Sequence, residues 1–191
     1  MWKDLVVESL RQPREAARRV LAANLPVRQL VEAALLVTSA AMVLGYLSLR
    51  MIPAEADLVS TAVLNNPLVG AVIQLVATAV VVVLSVRIGR LFGGQGTLPG
   101  GLALIVWLNA MLVLFQALQV VALALVPPLA AVLAILAMIW ALWAYASFVA
   151  ELHGFGNIFM VLGGVVVTSI LLYLGIEMLA AILGLTPQEL G

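Results

Sequence analysis

Cysteine is absent from the chain, and charged residues are scarce. With no cysteine among 191 residues, disulfides, zinc–thiolate sites, iron–sulfur clusters and cysteine nucleophiles are excluded. Charged residues make up 9% of the sequence and hydrophobic residues 65%, whereas a soluble domain averages about 25% charged and about 45–50% apolar residues. The mean hydropathy of +1.22 agrees with this contrast, so the chain is expected to be an integral membrane protein.

Five apolar segments are long enough to cross a membrane as helices. A spanning helix needs about 20 mostly apolar residues to cross a hydrocarbon layer of about 30 Å. Pro127 and Pro128 interrupt the longest apolar run, and because proline removes a donor and fixes φ, the run is expected to form two antiparallel helices. We therefore predict an all-α, five-span bundle in residues 29–183, with spans at about 30–49, 68–86, 101–126, 129–150 and 158–183.

Residues 1–28 precede the first span and carry regularly spaced charges. Pro13 can begin a second helix, and on either side of it apolar residues recur at helical spacing opposite a charged face. We predict two amphipathic helices in the headgroup plane, which serve either as an anchor for the first span or as a surface for a partner. This stretch contains no apolar h-region, so a cleaved signal peptide is not expected.

Lysine and arginine are distributed unevenly between the two ends of the predicted bundle. Arg50 is the one basic residue on the side of the first and third connections and the C-terminal tail, and the other eight lie on the opposite side. Basic residues are retained on the cytoplasmic side of a membrane. We therefore predict a cytoplasmic N-terminus and an extracytoplasmic tail at residues 184–191. The eight residues are Lys3, Arg11, Arg14, Arg18, Arg19, Arg28, Arg87 and Arg90.

The run GGQGTLPGG (Gly93–Gly101) is unusually rich in glycine and is predicted to be a cytoplasmic connection. A Walker phosphate loop requires a lysine after its glycines, and none is present here. A membrane turn explains the run, because its glycines supply free φ, Thr97 can cap the next helix and Pro99 suits a first turn. A second interpretation is a lipid-phosphate site at a helix start beside arginines, formed by Arg87, Arg90, Gly94, Gln95, Gly96 and Thr97.

The other polar connection is ELHGFGN (residues 151–157), which contains the only histidine of the chain. A metal site usually needs three or four donors. The nearby candidates stop at Glu151, His153 and Asn157, so no metal is expected, and no cofactor is expected either. His153 is expected to be solvated or to contact another cytoplasmic segment. Together with Glu151 and Gly154 it belongs to the candidate cytoplasmic surface. The sequence contains no nucleophile beside a histidine and an acid and no carboxylate pair, so no catalytic residue is predicted.

Three amides lie on the third predicted span. Asn109, Gln116 and Gln119 are spaced to share one helix face, which should turn inward because amides in lipid would lack hydrogen-bond partners. This face is interpreted either as hydrogen bonding between helices or as a polar path for transport, although no charged residue lies near mid-bilayer to carry an ion. In the fifth span, Gly163 and Gly164 are expected to permit close helix contact.

Three short motifs of the chain resemble those of a known family. PxEA at residues 13–16, GGxGT at 93–97 and ExHG at 151–154, together with five spans, resemble the Yip1 domain family, and more closely its bacterial members of alphaproteobacterial type. The resemblance covers about residues 12–183 and implies a five-helix bundle with two cytoplasmic motif loops. Eukaryotic members bind Rab-type GTPases through a DLYGP-type motif. Here Asp4 and Leu5 are followed by valine, so that role is not implied.

The function expected on these grounds is that of a non-enzymatic protein of the bacterial inner membrane. It would organise the membrane or bind a partner through its cytoplasmic face. Its expected partners are membrane lipids and either another membrane protein or a second copy of the chain, with no nucleic acid and no identified small-molecule substrate. The alternative is a small transporter or a lipid-translocating or lipid-binding protein that uses the amides of the third span.

The predicted orientation can be tested with reporter fusions. Alkaline phosphatase fused after Gly191 should be active and a fusion at Gln95 inactive, because the enzyme folds only outside the cytoplasm. The reverse pattern would overturn the orientation derived from the basic residues.

Overall fold

The secondary structure is entirely helical in the residues that the computed structural model describes, which are 2–51 and 66–182. Seven helices follow one another in these ranges. They are α1 (Trp2–Arg11), α2 (Pro13–Ala22), α3 (Val27–Met51), α4 (Pro67–Leu91), α5 (Leu98–Leu125), α6 (Pro127–His153) and α7 (Ile158–Ile182). The predicted tail at residues 184–191 lies outside the described residues.

Four of the helices, α3 to α6, are long and apolar enough to cross a membrane. They contain 25 to 28 residues, and at 1.5 Å per residue they measure about 38–42 Å, more than the roughly 30 Å of a hydrocarbon layer. They are therefore long enough to cross the layer even when tilted. The apolar part of α7 identified as such, Ile158–Thr168, is shorter, so the fifth span stays a prediction.

Prolines and one hydroxyl determine where several helices begin. Proline occupies the first turn of α2, α4, α5 and α6, where its missing N–H would have no partner in any case. The Thr97 hydroxyl accepts a hydrogen bond from the N–H of Gly100 at 3.2 Å, which confirms Thr97 as the N-cap of α5. Pro127 and Pro128 form the first turn of α6 rather than a spacer between two helices.

Helices α5 and α6 form the centre of the bundle. α5 packs against α2, α3, α4 and α6, and α6 packs in addition against α7. Their shared core includes Leu104, Leu108, Ala144 and Phe148, all buried, and Ala17 of α2 packs into the same cluster. These residues lie near the start of α5 and the end of α6, so the best-packed region is at one end of the bundle. We call this end, where α4 and α6 finish and α5 begins, the motif end.

Both N-terminal helices contact the bundle at the motif end. α2 packs against α5 and α6, and the small side chains of Ala16 and Ala17 are fully buried there. Ser9 of α1 is also fully buried, and its hydroxyl accepts a hydrogen bond from the indole N–H of Trp107 at 2.9 Å. These contacts fix α1 and α2 to the protein itself.

Two expectations about glycines and helix ends require correction. Apart from the neighbouring backbone of α7, no atom of the described residues lies within 4 Å of a Cβ built at Gly163 or Gly164, so the close helix contact predicted there is not made by the described part of the chain. Helix α6 also continues past the predicted span to His153. Glu151 and His153 therefore lie on its last turn and not in a loop.

Candidate functional site

His153 ends α6 with a buried side chain, with 3% of the residue exposed. Its Nδ1 accepts a hydrogen bond from the N–H of Gly96 at 3.2 Å, and its Nε2 lies 3.1 Å from the carbonyl oxygen of Ser85. A backbone N–H can only donate and a carbonyl can only accept, so the ring carries its single proton on Nε2 and is neutral. The expectation of a solvated histidine is therefore wrong, and its alternative, contact with another segment of the chain, is what the structure has.

Three glycines lie so close to the imidazole of His153 that a side chain at any of them would overlap the ring. A Cβ atom at Gly89, Gly94 or Gly96 would lie 2.2, 2.3 or 2.5 Å from the nearest atom of the His153 side chain, which is far inside van der Waals contact. We call these three residues the glycine cage. Only Gly93 in this loop has a positive φ, 84°. The expectation that Gly94 and Gly96 supply free φ is therefore wrong, because what they supply is space for the ring.

Further hydrogen bonds hold the loop against α4 and α6. The N–H of Gly94 donates to a carbonyl in the last turn of α4 at 2.9 Å, and the N–H of Gln95 donates to the carbonyl of His153 at 3.4 Å. The guanidinium Nε of Arg90 donates to the carbonyl of Gly96 at 2.9 Å. The GGxGT and ExHG motifs, far apart in sequence, are therefore one structural unit.

The lipid-phosphate site expected near this loop stays a prediction, and the geometry narrows what would hold the phosphate. The N–H groups of Gly94, Gln95 and Gly96 already donate within the protein. Arg87 and Arg90 lie at the end of α4, not in the loop, and both are exposed. An anion at this place would therefore depend on the charges of these two arginines.

Glu151 joins α2 to the end of α6. Its Oε2 accepts a hydrogen bond from Nε of Arg14 at 2.8 Å and its Oε1 accepts one from Nε of Arg18 at 2.7 Å. Arg14 also donates from Nη2 to the carbonyl of Phe155 at 2.7 Å. Gly154, with φ of 73°, ends α6 in the left-handed conformation that glycine favours. An arginine of the PxEA motif and the acid of ExHG thus meet in one contact.

Burial and the neighbouring groups shift the pKa values of Glu151 and His153 at the motif end. The apolar part of α6, which we treat as membrane-spanning, ends at Ala150, so Glu151 and His153 lie beyond it. Burial acts to raise the pKa of Glu151, but hydrogen bonds from Arg14 and Arg18 and their positive charges outweigh it, and this pKa lies below its ordinary 4.5. Burial lowers the pKa of His153 below its ordinary 6.5. The charge of Arg90 also lowers it, and the bond to the Ser85 carbonyl opposes them.

The amides of α5 are separated by the structure into two groups. Asn109 donates from Nδ2 to the hydroxyl of Thr78 on α4, and Gln116 donates from Nε2 to the carbonyl of Ala41 on α3, both at 3.3 Å. These two are hydrogen bonds between helices, as expected. Gln119, which is half-buried, lies about 80° around the helix from Asn109 at 100° per residue. A cavity of about 280 Å³ lies beside the first two amides, and its polar lining is Thr38, Gln74, Asn109 and Gln116.

Sequence reasoning missed several partners at the motif end. Ser85 and Gly89 hold the imidazole but lie inside an apolar helix, where spacing gives no sign of a role. Arg14 and Arg18 appeared only as part of a charged face, because their partner Glu151 is more than 130 residues away along the chain. Within the described ranges no group of three or more His, Cys, Asp or Glu residues is arranged to hold a metal ion.

Four apolar helices of spanning length, packed around α5 and α6, define a multi-pass helical membrane protein. Comparison with protein families matches residues 7–183 to the Yip1 domain. The chain therefore belongs to the Yip1 domain family, as its three motifs indicate. Searches of the curated proteins and of the solved structures found no match to the chain.

The glycine cage predicts an energetic coupling between Gly89 and His153. Gly89→Ala should destabilise the protein because its Cβ would overlap the imidazole. In a His153→Ala background the same change should be neutral or stabilising, by up to about 1 kcal/mol, because alanine favours helix more than glycine does. The double-mutant cycle, measured by unfolding in detergent, should give a coupling of about 1–3 kcal/mol. Gly163→Ala is the matched control, and its cycle with His153→Ala should show no coupling. If the cycle of Gly89→Ala with His153→Ala also shows no coupling, the glycine cage is contradicted.

Acidification should destabilise the protein through His153. Because its pKa is lower folded than unfolded, the folded state binds fewer protons and stability rises with pH. This contribution is complete above pH 6.5 and is lost as the pH falls from there through the lowered folded pKa. Glu151 adds a separate loss only below about 4.5. Melting temperatures between pH 6.5 and 4.5 should therefore fall for the wild type more than for His153→Gln, and parallel curves would exclude this role of the histidine.

Proposed function

We propose that this protein is a non-enzymatic member of the Yip1 domain family that organises membrane components or binds a partner through its motif end. In this proposal it is a five-span protein of a bacterial inner membrane, with α1, α2 and the motif end in the cytoplasm and the C-terminus in the periplasm. The excess of basic residues at the motif end supports this orientation, since such residues are retained in the cytoplasm.

The observation that carries the proposal is that the polar groups of His153 and Glu151 are hydrogen-bonded to other groups of the protein. His153 is neutral, with both ring nitrogens bonded and its ring enclosed by glycines. Both oxygens of Glu151 are bound by arginines. A general base or a nucleophile must reach a substrate, and these side chains face protein instead. We infer that the motifs hold one surface in a fixed shape.

The surface that the motifs hold carries a positive excess. Eight basic and five acidic side chains belong to α1, α2, the start of α3 and the motif end. Three of the five acids, Glu8, Glu15 and Glu151, form ion pairs with arginines of α2. Gln95, Thr97 and Arg87 are exposed. Such a surface suits an acidic segment of a partner protein or anionic lipid headgroups.

A second candidate function uses the interior of the bundle. The cavity beside Asn109 and Gln116 supports a lipid-binding or lipid-translocating role. The polar face expected from the sequence consists of these two residues and Gln119. Of these three amides, Gln119 does not line the cavity. The lining contains no charged side chain, so this candidate concerns uncharged ligands and not ions or protons.

Site-specific photo-crosslinking in native membranes tests the leading proposal. A photoreactive residue at Gln95 should give a discrete protein adduct, because Gln95 is exposed at the motif end. The same residue at Val132, which is exposed at the opposite end of the bundle, should give none. His153→Ala should weaken the Gln95 adduct by loosening the loop.

Two results would overturn this proposal. Equal adducts at Gln95 and Val132 would mean that the motif end is not selective. Adducts with lipid alone at Gln95, lost in an Arg87→Ala and Arg90→Ala double variant, would replace the protein partner with a lipid-phosphate site.

A further inference from the structure

We propose that the cavity between α3, α4 and α5 binds the hydroxyl group of an uncharged amphiphile, of the class of long-chain alcohols. This inference deepens the second candidate function, lipid binding, and is independent of the role proposed for the motif end.

The cavity lies in the middle of the bundle. Asn109 and Thr38 are both near the midpoints of their helices, and Gln74 and Gln116 complete the polar lining. Each of the three helices contributes at least one polar side chain. In hydrocarbon an amide without a hydrogen-bond partner is costly. Amides from two helices and a hydroxyl from the third surround this space, so its occupant is expected to form hydrogen bonds with them.

The hydrogen-bond network fixes which atom of Asn109 remains available. The hydroxyl of Thr78 donates its single proton to the backbone carbonyl of Gln74 at 2.8 Å. It can then only accept from Asn109, so Asn109 must present Nδ2 to it. The carbonyl Oδ1 of Asn109 is left without a hydrogen-bond donor in the described part of the chain.

The same reasoning applies to Gln116 and Gln74. The backbone carbonyl of Ala41 can only accept, so Gln116 must present Nε2 to it, which leaves its Oε1 without a donor among the described residues. The side-chain amide of Gln74 has no hydrogen bond to any described residue. Two carbonyl oxygens and one whole amide are therefore available to a ligand in the cavity.

The chemistry of the ligand follows from these groups. The free carbonyl oxygens require a ligand that donates hydrogen bonds, and the unused N–H groups of the same amides require one that also accepts them, as a hydroxyl does. A lining without charge offers nothing to compensate an ion. The rest of the lining is aliphatic, including Met42 and Val113, and the cavity is partly open. Water would satisfy the amides but leave the aliphatic wall wetted. A hydroxyl joined to a hydrocarbon chain satisfies both parts of the wall.

Photolabelling of the full-length protein in lipid nanodiscs tests the proposal. The probe is a long-chain alcohol with a diazirine in its chain, and labelled peptides are mapped by mass spectrometry. Peptides of α3, α4 and α5 that line the cavity should be labelled. Unlabelled hexadecanol should compete, and its methyl ether, which cannot donate, should compete at least about fivefold more weakly for one lost hydrogen bond.

Variants separate the amides from general packing. An Asn109→Leu and Gln116→Leu double variant should lose about tenfold or more of the labelling, because two acceptors are removed. Gln119→Leu on the same helix is the matched control and should label as the wild type does. Val113→Phe fills the space, keeps both amides and should also reduce labelling, so the result does not depend on the folding of the double variant alone. The melting temperature of each variant monitors folding.

Three outcomes would overturn the proposal. The methyl ether could compete as well as the alcohol, the double variant and the Gln119 control could label equally, or the cavity peptides could remain unlabelled because water alone occupies the site. Lipid flux in reconstituted vesicles is a separate measurement. Labelling without flux would support the binding site and exclude translocation, and neither result would affect the crosslinks expected at Gln95.

Discussion

The neutral imidazole of His153 is the contact on which the rest of the motif end depends. A buried histidine is stable only when both nitrogens have partners and no charge is gained, and here the partners come from two different segments, α4 and the loop before α5. Space for the ring exists only because Gly89, Gly94 and Gly96 lack side chains. Two residues earlier on α6, Glu151 binds arginines of α2 and so joins α2 to the same end of α6.

Elements set by local rules could be predicted from the sequence. Long apolar runs and prolines predicted the positions of α3 to α6, and Thr97 was recognised as an N-cap because a cap depends on residues two or three positions away. Spacing alone did not show that only two of the three amides of α5 line the cavity, because Gln119 lies about 80° around the helix from Asn109. Exact span ends were missed where helices continue past the apolar layer, as α6 does to His153.

The contacts of the motif end could not be predicted because they join residues far apart in the chain. Spacing within one segment shows that Gly94 and Gly96 favour a turn, but it does not show that an imidazole from α6 lies against them. In the sequence Arg14 is one of several cations on an amphipathic helix, and nothing near it in the chain indicates its contact with Glu151. The position of polar side chains inside the membrane is easier to predict, because hydrocarbon offers amides no solvent partner. The inward position of Asn109 could therefore be expected.

The clamp between α2 and Glu151 imposes an order on biogenesis. Arg14 leaves the ribosome long before the residue it binds, since 137 positions separate Arg14 from Glu151. Until α6 has been synthesised, α2 has neither its ion pairs with Glu151 nor the helix with which it makes its most extensive contact. Docking of the N-terminal helices on α6 therefore comes late in synthesis, when of the described helices only α7 is still to follow.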